Sequence, residues 1–155
     1  MRLHDKEFEL FIQYDQILIE IARMGNELNR DYFGRKPLFI AVLKGSFMFA
    51  ADLLKEIELI CEICFVRLHS YHGTLSQGHI ITEFDTDFDI LDRDVIILED
   101  IIDTGGTMKH YVSELIKMKP ASIRIASLLW KEEATRKEIT TLNKHLDDLY
   151  ERHIH

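Results

Sequence analysis

The sequence predicts an α/β fold, in which a mainly parallel sheet is flanked by helices within one domain spanning residues 1–155. Two observations predict it. Short apolar runs alternate with stretches of helical periodicity, and polar or glycine residues follow the apolar runs. No repeat, low-complexity tract or linker divides the chain, and 155 residues are enough to bury one core.

The first helix is predicted over Phe8 to Leu28, where apolar residues recur at helical spacing with charges between them. Short apolar runs predict strands, and helical spacing returns between them. The strands are predicted at Pro37 to Leu43, Ile60 to Leu68, Ile80 to Phe84, Asp94 to Leu98 and Ser122 to Trp130. Two more helices are predicted at Phe47 to Leu59 and Thr107 to Lys117, and the polar stretch HSYHGTLSQGH is predicted to be a loop.

Composition excludes several classes of function. The formal net charge of -8 argues against nucleic-acid and membrane-surface partners, which repel an acidic protein. No apolar run approaches the roughly 20 residues that span a bilayer. The first ten residues lack the apolar core of a signal peptide, so a cytoplasmic protein is expected.

The two cysteines, Cys61 and Cys64, are three residues apart in a predicted strand. At that spacing their side chains point to opposite faces of a strand. No second cysteine pair completes a zinc site, so both cysteines are predicted to fill the core.

An unusual run of charge follows the fourth predicted strand, where Glu99, Asp100 and Asp103 lie within VIILEDIIDTGGTMKH. Carboxylates beside a buried strand are costly unless cations or hydroxyl groups contact them. The vicinal hydroxyls of a ribose, or a divalent cation, would satisfy them.

The segment DTGGT at 103–107 links that strand to a helix. Backbone N–H groups and the dipole at a helix amino end form an anion site, for which phosphate is the usual occupant. The pattern matches neither a Walker loop, which needs Gly-Lys-Ser/Thr, nor the three spaced glycines of a dinucleotide fold. Together with the acidic residues, it predicts a site for ribose 5-phosphate.

The run VIILEDIIDTGGT resembles the phosphoribosyl-diphosphate binding motif of type I phosphoribosyltransferases, particularly the members acting on hypoxanthine and guanine. Three more stretches resemble that family in order and spacing over about residues 5–131. They are the diphosphate loop at Leu43-Lys44-Gly45-Ser46, the flexible lid at HSYHGT, and the strand at Ile125 to Lys131. The resemblance implies the type I phosphoribosyltransferase fold, a lid loop, and a non-proline cis peptide before Lys44.

The resemblance also implies a role for each matching residue. Asp103 would be catalytic, accepting a proton near the purine N7, and Lys131 would donate to the 6-oxo group. Glu99 and Asp100 would bind the ribose hydroxyls or their Mg2+. The other implied substrate-binding residues are Lys44 and Gly45 for diphosphate, Ser70 and Tyr71 in the lid, and Thr104, Gly105, Gly106 and Thr107 for the 5-phosphate.

By the same resemblance, the chain is a purine salvage enzyme with Mg2+ as cofactor. It would transfer the 5-phosphoribosyl group of phosphoribosyl diphosphate to hypoxanthine or guanine, giving IMP or GMP and diphosphate. A homodimer or homotetramer is the implied assembly. A lysine donor forms a hydrogen bond with a carbonyl but not with an exocyclic amine, because the amine is also a donor. Purines with a 6-oxo group are therefore expected as substrates in preference to adenine.

Residues 132–155 depart from the family pattern. They contain no counterpart of the aromatic residue that stacks on the purine, nor of the later aspartate at a second magnesium. Their apolar residues recur at helical spacing, which predicts a helical tail and a reduced hood over the base. Two alternatives follow: a non-catalytic regulator that binds phosphoribosyl diphosphate or a nucleotide, and a phosphoribosyltransferase for another base, such as a pyrimidine, for which Lys131 would be dispensable.

Overall fold

The computed structural model describes residues 2–3, 6–7, 11–69, 81–84, 89–103 and 105–131. A short antiparallel pair comes first, formed by β1 (Arg2–Leu3) and β2 (Lys6–Glu7), which the sequence did not predict. The three helices are α1 (Tyr14–Asp31), α2 (Phe47–Lys55) and α3 (Gly106–Lys117). The main sheet contains β3 (Leu38–Leu43), β4 (Glu62–His69), β5 (Ile81–Phe84), β6 (Asp94–Ile102) and β7 (Ser122–Trp130).

The main sheet has the strand order β5-β4-β3-β6-β7. Four neighbouring strands, β4, β3, β6 and β7, are parallel, and β5 pairs antiparallel with β4. Parallel neighbours require crossover connections, which α2 and α3 supply between strands. The predicted fold class is therefore confirmed.

Helices cover both faces of the sheet. On one face, buried residues of α3 such as Tyr111 and Leu115 pack against Ile40 and Ile97. On the other face, α1 and α2 pack against Phe39, Ala41, Ile96 and Leu98. The central strand β3 is apolar at every position because both of its faces are buried.

Helix α1 begins at Tyr14, so the predicted start at Phe8 is wrong. Gln13 precedes the helix with an extended backbone, and its N–H donates to the side chain of Gln16 at 3.0 Å. Phe11 is 92% exposed and does not belong to the apolar stripe of the helix. Apolar spacing alone could not distinguish this approach segment from the helix that follows.

Helix α2 ends at Lys55, four residues before the predicted end at Leu59. The side chain of Asn29, from α1, donates to the carbonyl of Glu56 at 2.8 Å and accepts from the N–H of Glu58 at 2.9 Å. These bonds hold the backbone after α2 in a turn and stop the helix.

Strand β6 continues to Ile102, whereas the sequence predicted its end at Leu98. Its pairing with β7 extends through Glu99, which lies opposite Ser127, and through Ile102, which lies opposite Trp130. Glu99 and Asp100 therefore lie within the strand and not after it. The sequence did not predict this extension of the strand, because acidic residues are uncommon in strands.

Ion pairs and hydrogen bonds between polar side chains connect the amino ends of the strands. Glu62, at the start of β4, pairs with Lys36 and Arg93, each at 2.8 Å. These two contacts hold the pKa of the Glu62 carboxyl at about 2. Asp94, at the start of β6, accepts from Ser122 of β7 and pairs with Arg35 at 3.3 Å. We refer to these residues as the amino-end network.

Cys64 lies in the core on the α3 face, and Cys61 packs on the opposite face. Cys61 and Cys64 form no disulfide, and their packing in the core agrees with their predicted role. Among the described helices, none is long and apolar enough to cross a membrane.

Gly25 lies where α1 meets the end of α2, and an added Cβ atom would lie 2.5 Å from the Cβ of Glu56. We expect Gly25→Ala to lower the free energy of unfolding by about 1–3 kcal/mol, because the two helices must move apart. In an uncrowded helix the same change is stabilising by roughly 1 kcal/mol. Urea denaturation measures the difference.

Asn26→Ala is the matched control, because Asn26 is exposed on the same helix. This control should be neutral or slightly stabilising, since alanine has the higher helix propensity. A Gly25→Ala protein as stable as wild type would show that the two helices do not need their close approach.

Candidate active site

A cavity of about 270 Å³ opens at the carboxyl end of the parallel strands, between β6, α3 and the ends of β3 and β4. This is the edge of the sheet where the ligand of such a fold is expected. Polar and apolar side chains share its wall. The lining residues are Val42, Leu68, Glu99, Ile101, Ile102, Asp103, Gly105, Thr107 and Met108.

Glu99 and Asp100 are half-buried where β6 leaves the core. The pKa of Glu99 is raised to about 8, mainly by burial and then by the hydrogen bond and negative charge of Asp100. The Glu99 carboxyl therefore holds a proton near neutral pH. A cation or hydroxyl ligand at this point would favour its ionised form.

Gly45 follows β3 and lies directly against Asp100 of the neighbouring strand. An added Cβ atom at Gly45 would lie 2.5 Å from each carboxylate oxygen of Asp100. A side chain at this position would displace the Asp100 carboxylate. The peptide between Leu43 and Lys44 is cis, as expected from the resemblance. The predicted diphosphate loop and the acidic motif thus form one surface.

Asp103 and Lys131 are in contact where the neighbouring strands β6 and β7 end. Lys131 Nζ donates to the Asp103 carboxylate at 3.0 Å, and both side chains are mostly exposed. The backbone N–H of Lys131 donates to Ile102 at 3.0 Å, which continues the pairing of β6 with β7. Strand register therefore brings together two residues that are 28 positions apart.

The amino end of α3 closes one side of the cavity. Gly105 precedes the helix with φ of 77°, a backbone conformation that favours glycine. Among the described residues no side chain caps this helix end, and Thr107 lines the cavity within the first turn. The backbone N–H groups at this end suit a phosphate.

The predicted site residues fall into three groups. The cavity brings together Glu99, Asp103, Gly105 and Thr107, while Asp100 interacts with Glu99 and Lys131 contacts Asp103. Exposed residues beside these positions are Lys44, in the turn after β3, and Gly106, at the start of α3. Three predicted residues lie outside the described part of the chain: Ser70, Tyr71 and Thr104. The predicted helical tail also lies outside it.

The sequence interpretation missed the apolar side of the cavity. Val42, Leu68 and Met108 extend the core on the α3 face up to the cavity, and Ile101 is 48% exposed inside it. One signal was available. Ile101 shares the alternation of Glu99 and Asp103 along β6, so it had to face the same side as those acids.

The acidic pair fits Mg2+, the metal ion that the resemblance implies. Proteins hold this ion through one or two carboxylates, completed by substrate phosphate oxygens and water. Glu99 and Asp100 supply two interacting carboxyl groups, and a divalent cation would offset the burial and the repulsion by Asp100 that raise the pKa of Glu99. No group of three or more metal-ligating side chains is found in the described residues.

Comparison with known proteins gives consistent matches. The phosphoribosyl transferase domain matches residues 13–154. A curated hypoxanthine-guanine phosphoribosyltransferase from Streptococcus mutans is 45% identical over 121 residues, which cover 77% of this chain and 67% of the relative.

Two solved structures are also similar. A hypoxanthine-guanine phosphoribosyltransferase from Bacillus anthracis superposes with a TM-score of 0.75 at 32% identity, covering 84% of this chain and 75% of the other. A Trypanosoma cruzi hypoxanthine phosphoribosyltransferase mutant complexed with the product IMP superposes with a TM-score of 0.76 at 27% identity. The match covers 88% of this chain and 75% of the other. The chain belongs to the phosphoribosyl transferase family, and its similar relatives are hypoxanthine-guanine phosphoribosyltransferases.

Proposed function

We propose that this protein transfers the 5-phosphoribosyl group of phosphoribosyl diphosphate to hypoxanthine or guanine, giving IMP or GMP and diphosphate. The cavity carries the proposal, because it brings acidic residues and the amino end of α3 to one place. A sugar bearing both hydroxyl groups and phosphate matches that combination. The names of the relatives support the choice of purine substrates.

The binding roles follow from position. The 5-phosphate would accept from N–H groups at the start of α3, around Gly105 and Thr107. The ribose hydroxyls would donate to Glu99 and Asp100. The diphosphate would lie over Lys44 and Gly45, beside Asp100, because that turn is the adjacent exposed surface with a cationic side chain.

In the reaction, the bond between the anomeric carbon and the diphosphate oxygen breaks, and a bond from that carbon to the purine nitrogen forms. The base loses one proton, for which Asp103 is the proposed acceptor. Positive charge on the ribose ring is stabilised by the acidic residues beneath it, and Lys44 stabilises the departing diphosphate. Bound Mg2+ would neutralise further charge on the diphosphate.

A diphosphate-release assay with Mg2+ and a panel of bases tests the proposal. Turnover with hypoxanthine or guanine, and little with adenine or uracil, is expected. Tight binding of phosphoribosyl diphosphate in calorimetry without any turnover would instead favour the non-catalytic regulator. Turnover restricted to a pyrimidine would favour a phosphoribosyltransferase for another base. A homodimer or homotetramer and a cytoplasmic location stay predictions.

The proposed contact of Lys131 with the 6-oxo group gives a separate prediction. Lys131→Met should raise the KM for hypoxanthine about 10- to 100-fold, because a hydrogen bond from a charged donor to a desolvated carbonyl is lost. Binding of phosphoribosyl diphosphate should change little, since Lys131 contacts Asp103, whereas the diphosphate is proposed to lie over Lys44 and Gly45. Steady-state kinetics with each substrate varied in turn measures both effects.

Lys117→Met is the matched control. Lys117 is an exposed lysine in an ion pair with Glu114 at the far end of α3, so this change should leave both KM values unaltered. An unchanged KM for hypoxanthine in Lys131→Met would remove Lys131 from the base site.

A further inference from the structure

Ser46 occupies the first position before α2, where a serine ordinarily accepts hydrogen bonds from the first turn of the helix. Here its side chain makes no such cap. Its hydroxyl instead donates backwards to the carbonyl of Val42 at 2.6 Å. The serine is fully buried, with 0% of its surface exposed. Its side chain therefore stabilises the preceding turn and not the helix.

The turn that Ser46 closes contains the residues proposed to hold diphosphate. The backbone N–H of Ser46 also reaches the Val42 carbonyl, at 3.3 Å, so two donors of one residue span Leu43, Lys44 and Gly45. Lys44 and Gly45 are exposed, whereas Val42 and Ser46 are buried on either side of them. The buried hydrogen bond between Ser46 and Val42 thus stabilises a turn whose tip is exposed.

This turn also contacts the acidic motif. An added Cβ atom at Gly45 would lie 2.5 Å from both carboxylate oxygens of Asp100, so the turn packs directly against this side chain. A small displacement of the turn would open this contact and would move Lys44 with it. Sites for charged ligands lose affinity when their groups are misplaced by even about 1 Å.

We propose that Ser46 is a positioning residue for the phosphoribosyl diphosphate site, because its hydroxyl fixes the Lys44–Gly45 backbone against Asp100. This inference rests on the proposed function. It assigns the effect of Ser46 to the diphosphate side of the site, and not to the base side, where Asp103 and Lys131 lie.

The test compares Ser46→Ala with wild type, using phosphoribosyl diphosphate and Mg2+ in calorimetry and steady-state kinetics. We expect the Kd and KM for phosphoribosyl diphosphate to rise about 5- to 20-fold, because a buried carbonyl loses its stronger donor. The KM for hypoxanthine should stay within about twofold, since the base contacts are made by other strands. Thermal melting of the same samples monitors folding.

Two further variants make the result specific. Ser113→Ala removes the same type of bond, from a hydroxyl to the carbonyl four residues earlier at 2.8 Å, but within α3, and should leave the Kd unchanged. Ser46→Cys keeps the shape of the side chain, with a slightly larger and much weaker donor, so it should weaken binding as Ser46→Ala does. It also serves if Ser46→Ala fails to fold.

A wild-type Kd in Ser46→Ala or Ser46→Cys, even with a lower melting temperature, would overturn the inference and leave the proposed function intact. An equal rise in KM for both substrates would also overturn it. Failure of the wild-type protein to bind phosphoribosyl diphosphate would instead overturn the proposed function and Ser46's role together.

Discussion

Asp103→Asn is expected to lower kcat about 100-fold, the lower end of the range for a general acid or base. Asparagine keeps the shape of the side chain but accepts no proton from the purine. Affinity for phosphoribosyl diphosphate should stay within about twofold, because Gly45, the acidic pair and the α3 amino end are untouched. Rapid-quench or steady-state turnover gives kcat, and calorimetry gives the Kd.

The lost ion pair with Lys131 needs its own measurement. Because Lys131 donates to Asp103 at 3.0 Å, the variant also replaces this ion pair by a weaker hydrogen bond, and the KM for hypoxanthine should rise modestly. Asp92→Asn is a suitable control, since Asp92 is exposed in the turn before β6, at the other end of the sheet. Equal losses of turnover and of phosphoribosyl diphosphate affinity in Asp103→Asn would assign Asp103 to binding and not to proton transfer.

Glu99→Gln is expected to make the ligand-free protein more stable at pH 8 and far less active. The pKa of Glu99 is about 8 in the folded protein, chiefly because of burial, against 4.5 for an ordinary glutamate. Since the folded state holds this proton more tightly, the stability that depends on it is complete below pH 4.5 and is lost as the pH rises toward 8. Glutamine is neutral throughout and avoids that loss.

Urea denaturation at pH 5.5 and pH 8 measures the effect. Wild type should lose about 1–2 kcal/mol more than Glu99→Gln between these two values, after allowance for solvent screening of a half-buried group. Activity should fall at least about 10-fold, because the ionised carboxylate contributes a charge-assisted contact to the ribose or to Mg2+.

Glu62→Gln provides a control of opposite sign. The ion pair with Lys36, and then that with Arg93, lowers the pKa of Glu62 to about 2, so its stabilising effect is present above pH 4.5 and is lost only as the pH falls toward 2. The substitution should therefore destabilise the protein equally at pH 5.5 and pH 8. A Glu99→Gln protein whose stability follows wild type at both values would contradict the expected coupling.

Much of the fold could be predicted from the sequence because local signals agree with tertiary structure. The apolar run of β3 and the helical spacing of α3 are both visible in the chain, and the predicted bounds of β7 match the structure. Two of the errors lie where a residue distant in sequence decides where an element ends. Asn29 ends α2, and pairing with β7 extends β6 through its acidic residues.

In the candidate site, too, some features could be predicted from the sequence and others depend on tertiary structure. The acidic motif identified Glu99, Asp100 and Asp103 because their charge is unusual beside a buried strand. The contacts between Gly45 and Asp100, and between Asp103 and Lys131, depend on the lateral order of β3, β6 and β7. That order is a property of the assembled sheet, and no spacing along the chain encodes it.

The amino-end network and the cavity lie at opposite ends of the same strands. Substitutions that change substrate preference can therefore accumulate at the carboxyl ends of the strands, the carboxyl rim. Glu62, Asp94 and their partners stabilise the fold at the amino ends. Directed evolution toward a new base would be most productive with mutations confined to the carboxyl rim. In natural lineages, the same separation would let base selectivity diverge without loss of foldability.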